Sequence, residues 1–193
     1  MALWGVSTTD ESKPKWLTAE QKKTVFATDR GWVQLDGKGN EEVICAIGEL
    51  AGVSTTTGIG AATVTSVEFV TTAFDVSDGG NIDVRVIFNE KVTVDTTGGT
   101  PSIAIANDQA GGGSAASLTA AYQSGNRTNR LRFRVTLGAA GTTVVADDVL
   151  SVAAQNIALN SGTLVDTADG STAALVAISA AAASAAGTLT ATA

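Results

Sequence analysis

Over much of the chain, apolar and polar side chains alternate with a period of two, and over 64–178 no helical period competes. Between Asn81 and Phe88, the side chains of Ile82, Val84, Val86 and Phe88 alternate with Asp83, Arg85 and Ile87, which predicts a strand with one buried face. Asp78-Gly79-Gly80 supplies a turn before it. Val92-Thr93-Val94 continues after Asn89-Glu90-Lys91, and Thr96 to Pro101 turns the chain again. Ser102 to Ala106 reads as a short strand, followed by a loop through Gly111-Gly112-Gly113. The best-defined unit is a hairpin of Ser117 to Gln123 with Arg130 to Leu137. Setting Gln123 opposite Arg130 places Leu118, Ala120 and Tyr122 on one face with Leu131, Phe133 and Val135. Arg130, Arg132 and Arg134 then line the other face. Shorter strands are expected at Val149 to Val152, Ile157 to Leu159, Thr163 to Val165 and Ala174 to Ile178, with turns near every tenth residue. That spacing predicts an all-β chain built as an antiparallel β-sandwich.

The two ends read differently. Thr18, with Gln21 three residues on, has the spacing of a capping box for a helix of little more than one turn over Ala19 to Lys23. Val25 to Thr28, Trp32 to Leu35 and Glu42 to Ile47 look like short strands, with turn chemistry at Asp29-Arg30-Gly31 and Asp36 to Asn40. Residues 51–62 are uncharged and rich in Gly and Thr, as a linker is. The expected organisation is therefore an irregular, strand-containing N-terminal segment over 1–60 and a sandwich over 64–193. The first is too small to be stable without a partner surface. Ala180 to Ala186 has good helix propensity but only seven residues, and with Ile178 before it and Leu189 after it an extended strand or tail is the expectation.

Composition narrows function. Ala, Thr and Gly make up 81 of the 193 residues, and there is no histidine, which removes the commonest general base and the commonest transition-metal ligand together. A single cysteine cannot form an internal disulfide or a Cys/His zinc site. The net charge of -7 argues against a nucleic-acid partner, and no apolar run reaches the ~20 residues of a membrane span. Met1 to Ser7 lacks the basic and apolar regions of a secretory signal, so assembly in a cytoplasm is expected. No enzyme activity and no cofactor are expected, and no bound metal. Asp147, Asp148, Asp166 and Asp169 would meet at a Ca²⁺ only if loops gathered them, and turn-making is the plainer role for them.

The run Ile82 to Val94, then Gly99-Thr100-Pro101-Ser102-Ile103, Ala121 to Gly125, Leu131-Arg132-Phe133 and Leu159 to Asp166, resembles a bacterial immunoglobulin-like repeat of the type found in large adhesins and biofilm-associated proteins. The N-terminal stretches Glu11 to Leu17, Val25 to Val33 and Val43 to Gly48 are similar to the start of structural proteins in particles of tailed phages that infect cyanobacteria. Together these resemblances imply a virion structural protein, most often a capsid decoration protein. It would bind the major capsid protein or another shell or tail subunit through its N-terminal segment, as a homo-oligomer or symmetric array, and display an Ig-like domain. The alternative readings are a neck or tail ornament of the same kind of particle, or a surface adhesin or carbohydrate-binding Ig-like module.

Candidate partner-binding residues follow from side-chain type. Trp4, Trp16 and Trp32 lie in a segment too small to bury three indoles well, and Trp is enriched in binding hot spots. Lys13 and Lys15 flank Pro14, and Arg30 sits in a turn. The stripe of Arg130, Arg132 and Arg134 presents guanidinium forks at two-residue spacing, suited either to a neighbour's carboxylates or to a solvated strand face that discourages edge pairing.

Overall fold

The computed structural model describes residues 12–52 and 58–193; Trp4 and residues 53–57 of the Gly/Thr-rich linker fall outside them. The first elements form around a local signal. The Leu17 N–H donates to the Pro14 carbonyl at 3.2 Å, a turn that delivers Thr18 as the cap of α1 (Ala19–Thr24). Thr18 Oγ1 accepts from the Gln21 N–H, and Gln21 Oε1 accepts in return from the Thr18 N–H at 2.9 Å, so the expected capping box is present. Val25 then goes extended and opens β1 (Val25–Thr28), which pairs antiparallel with β2 (Gly31–Leu35), itself flanked by β3 (Glu41–Ala46). Gly31 has φ +119°, and a Cβ there would overlap the Cys45 carbonyl oxygen, so the close approach of β2 and β3 needs glycine. Leu17, Val25, Ala27, Trp32, Ile47 and Leu50 bury one another in a small core of their own.

The rest of the chain is organised on one long strand. β4 (Val64–Phe69) and β5 (Phe74–Asp75) precede β6 (Gly80–Asp95), which is 16 residues and fuses two segments that the sequence pattern separates at Asn89-Glu90-Lys91. There follow β7 (Ser102–Asn107), β8 (Ser117–Ser124), β9 (Thr128–Leu137), β10 (Val149–Ser151), β11 (Gln155–Asn156), β12 (Thr163–Asp166), β13 (Ala177–Ile178), α2 (Ala180–Ala185) and β14 (Thr188–Thr192). Among the described residues the strands join in one twelve-stranded mixed sheet, ordered β3-β2-β1-β6-β9-β8-β7-β10-β14-β5, with β4 and β12 both paired to β6; β11 and β13 pair separately. β6 takes β4 antiparallel along its first half and β12 antiparallel along its second, while β9 pairs along the other side. It also meets β1 in parallel at Ala27 opposite Glu90. Strands far apart in this order bury side chains together: Val86 and Phe88 of β6, Ile103 and Ile105 of β7, Leu150 of β10 and Leu189 of β14 belong to one core. The sheet therefore folds back over a shared interior, and the fold is all-β with two short helices.

Two expectations need correction. In the β8–β9 hairpin Tyr122 faces Phe133, not Leu131, so the register lies two residues from the one expected. A shift of two preserves the faces, and Leu118, Ala120, Leu131 and Phe133 are all buried as anticipated. The shift arises at the turn. The Thr128 N–H bonds back to the Gly125 carbonyl at 3.0 Å, with Gly125 at φ +107° and Arg127 at φ +60°, so β9 starts two residues earlier and a bulge falls between Tyr122 and Ser124. The second correction concerns 180–185, which is helical rather than extended. Ser179 caps it by accepting from the Ala182 N–H, Ala182 and Ala183 are buried, and α2 packs on β4, so tertiary contact supports a helix too short to stand alone. The extended stretch that was expected resumes only as β14.

Candidate functional site at the N-terminal unit

The structure sorts the candidate binding residues by how much of each remains accessible. Trp16, in the turn that precedes α1, is 61% exposed, and Lys15 beside it is exposed as well. Trp32 is the opposite case: its ring is the largest side chain in the small core, at 2% exposure. The three indoles thus divide between core and surface, with Trp4 outside the described residues. Lys13 is half-buried and donates from Nζ to the Lys22 carbonyl at 2.6 Å. Burial, then the charges of Arg130 and Lys22, bring its ammonium down to about 8. Arg30 pairs with Glu41, and Lys91 of β6 pairs with the same carboxylate while its Nζ lies 5.2 Å over the Phe26 ring. Glu41 therefore ties the β1–β3 unit to β6, and the Lys91 and Arg30 hydrogen bonds hold it below the usual carboxylate range against the opposing effect of burial.

The arginine stripe is largely occupied within the chain. Asp83 lies opposite Arg134 across the β6–β9 ladder. Its carboxylate, 4% exposed, accepts from Arg134 Nε at 2.8 Å and Nη2 at 3.0 Å, and from Arg132. Burial works to raise Asp83, but the two guanidinium hydrogen bonds outweigh it and hold the group low. Arg130 turns toward the N-terminal unit and donates to the Lys23 carbonyl at 3.2 Å. Lys23 Nζ bridges Glu20 at 3.0 Å and Glu68 at 3.2 Å, and Glu68 also accepts from Arg85 at 2.7 Å. Within the stripe Arg130 alone reaches α1, while Arg132 and Arg134 close on Asp83, uses that neighbouring side chains along one strand cannot announce.

Among the described residues, two of the cavities where the N-terminal unit meets the sheet lie against buried polar groups. One of about 620 Å³ is lined by Lys13, Lys22, Lys23, Trp32, Ser66 and Asn89; Trp32 Nε1 and Ser66 Oγ are buried there with no hydrogen-bond partner among the described residues. The other, about 290 Å³, is lined by Asp29, Glu41, Glu90, Lys91 and Asp166. Glu90 and Asp166 are 1% and 0% exposed, and burial followed by the charge of Asp166 pushes Glu90 up to about 9. The sequence pattern interrupts its strand at Asn89-Glu90-Lys91 and groups Asp166 with other loop aspartates. The pairing of β12 with the second half of β6 is what brings the two together. Of those other aspartates only Asp169 shows the expected turn role, whereas buried Asp148 joins the 107–113 loop to 145–148. Asp148 accepts from Asn107, Gly111 and Val145, and Asp169 from Ser171 and Thr172. Among the described residues no group of three or more Asp, Glu, Cys or His side chains is placed to hold a metal ion.

Comparison with protein-family models, with curated proteins and with solved structures finds no match for this chain. What the arrangement offers chemically is a contact surface: a large exposed aromatic next to an ammonium, mounted on a unit that is itself fixed to the sheet by ion pairs.

Proposed function

We propose that the chain is a non-enzymatic structural protein of a virus particle, a decoration protein of a tailed-phage capsid. Its N-terminal unit seats on the shell, and its large sheet, an Ig-like β-sandwich, stands outward. The observation that carries this reading is Trp16. Nearly two-thirds of an indole is left in water one residue from Lys15, although the same small unit buries Trp32 almost completely. An aromatic on a turn, held by Pro14 and the α1 cap behind it, is pre-organised to enter a partner's pocket at small entropic cost. Repeated over many symmetric copies, a contact of the usual ~800 Å² per partner gains strength through avidity. The Ig-like reading draws on the antiparallel β6–β9–β8–β7 succession and on the sharing of one interior by β4, β6, β10 and β14.

A glycan-binding module would need exposed rings on the sheet. Tyr122 is instead partly buried edge-on against Phe133 at 6.1 Å, and Phe74 is buried. Mass spectrometry of purified particles tests the proposal: stoichiometric copies of the chain are expected, and their absence would end it. On shells prepared without the protein, Trp16→Ala is expected to weaken loading at least tenfold, about the effect of losing a hot-spot aromatic, with thermal stability unchanged. Loading at the wild-type level would remove Trp16 as the anchor.

A further inference from the structure

Charge in the larger of the two cavities is one-sided. Three of the chain's six lysines, Lys13, Lys22 and Lys23, line the space of about 620 Å³, and among the described residues no carboxylate does. Lys23 is neutralised by Glu20 and Glu68. Lys13 and Lys22 make no ion pair among the described residues, and Lys13 Nζ donates instead to the Lys22 carbonyl. Burial, then the charges of Arg130 and Lys22, lower the Lys13 ammonium, as positive charge crowded without a counter-ion should. A second observation is independent of charge. Trp32 is almost wholly buried, and its Nε1, like the Ser66 hydroxyl, has no hydrogen-bond partner among the described residues. An indole N–H can only donate, so what Trp32 lacks is an acceptor. Asn89 Oδ1 is taken by the Thr63 N–H at 2.6 Å, which leaves its amide NH₂ as a further donor on the same lining. Donor side chains from α1, β2, β4 and β6 thus surround one space, and among the described residues that space holds no anionic acceptor.

We propose that this cavity binds a phosphate group carried on a small organic molecule, at the junction of the N-terminal unit with the sheet. Lysine serves phosphate as a point charge, whereas the planar fork that suits a carboxylate belongs to arginine, and no arginine lines the space among the described residues. Donors arriving from four elements match oxygens set around a tetrahedron better than two oxygens in a plane. The volume lies in the range of small-molecule sites and well above what inorganic phosphate fills. Ala19, Ile59 and the Trp32 ring offer apolar wall for the rest of the ligand. The net charge of -7 keeps the ligand small, because a polyanion would meet repulsion beyond the cavity. With α1 and β2 on one side and β4 and β6 on the other, the ligand also ties the N-terminal unit to the sheet. Binding in this cavity is independent of what surface the chain seats on.

The test is a nuclear magnetic resonance titration of the isotope-labelled full chain at constant ionic strength, reading the assigned indole N–H of Trp32. Phenyl phosphate, inorganic phosphate and benzoate are the probes. Phenyl phosphate is expected to move the Trp32 indole resonance saturably with a Kd on the order of 1 mM. Inorganic phosphate is expected to bind more weakly at the same residues, and benzoate at least tenfold more weakly than phenyl phosphate. Lys22→Gln is expected to weaken phenyl phosphate binding about tenfold and Ser66→Ala several-fold, the scale of one charged and one neutral hydrogen bond. Lys38→Gln, on the exposed turn between β2 and β3, leaves binding unchanged. Neither Lys22 Nζ nor Ser66 Oγ has a partner to lose among the described residues, so both variants are expected to fold. Absence of a saturable shift at Trp32 up to about 10 mM phenyl phosphate, tenfold above the expected Kd, or binding in Lys22→Gln equal to wild type, would overturn the proposal. Benzoate binding as tightly as phenyl phosphate would overturn the choice of phosphate.

Discussion

Asp83 shows how a single carboxylate organises a surface. It is buried, yet it stays ionised because Arg132 and Arg134 both reach it from the next strand. Asp83→Ala would leave two guanidiniums without their acceptor. Because both are about a third exposed, water compensates in part, and the expected loss is about 2 kcal/mol rather than the 3–5 of a fully buried pair. That amounts to a fall of about 5 °C in the unfolding midpoint by calorimetry. Gly31 poses a steric constraint instead. Gly31→Ala adds strain at φ +119° to a collision with the backbone of β3, and is expected to destabilise by more than about 2 kcal/mol, read from urea unfolding. The Asp83 arrangement could not be read from the sequence, since one-dimensional spacing puts the three arginines on one face but not what stands across from them. The register of β6 against β9 decides that.

At the scale of elements, legibility tracked the range of the interaction. The α1 capping box and the β1 strand were readable because a cap needs four residues and a strand face a few more. Thr18→Ala should cost about 1 kcal/mol. Because α1 is six largely exposed residues, the loss is expected as faster amide exchange in 19–24 with little change in the global midpoint. Helix α2 and the β8–β9 register were misjudged for the complementary reason. α2 persists through burial of Ala182 and Ala183 beside β4, more than a hundred residues earlier in the chain. The register turns on left-handed backbone at Arg127, which side-chain type does not announce. Residue type singled out Trp16 and Trp32 alike, but only the fold decides that Trp16 is exposed with Lys15 and Trp32 buried, and the Glu90–Asp166 pair exists only through the β6–β12 pairing.

For the whole molecule, Lys13 makes stability depend on alkaline pH. Its ammonium titrates near 8 when folded and at 10.5 in the ordinary case, so between those values the unfolded chain holds a proton that the folded chain has released. Raising pH across that window therefore favours folding, by on the order of 2 kcal/mol once partial exposure is discounted. Urea midpoints compared between wild type and Lys13→Met should show the gain from about pH 8 to 10.5 in the wild type alone, and a variant that is the more stable of the two at pH 7. Equal pH profiles would mean that Lys13 keeps its proton. On the acid side Asp83 and Asp148, both held low in the fold, contribute stability above the usual Asp value that is lost as pH falls through their lowered ones.

The length of β6 has a mechanical consequence. Tension applied at Trp16 passes through α1 and β1 into a strand that pairs with β9 along its first half, with β4 over its middle and with β12 along its last four residues. A pull along that strand shears its ladders simultaneously, so no single pair can unzip before the others take the load. The tether and the body it holds would yield as one piece.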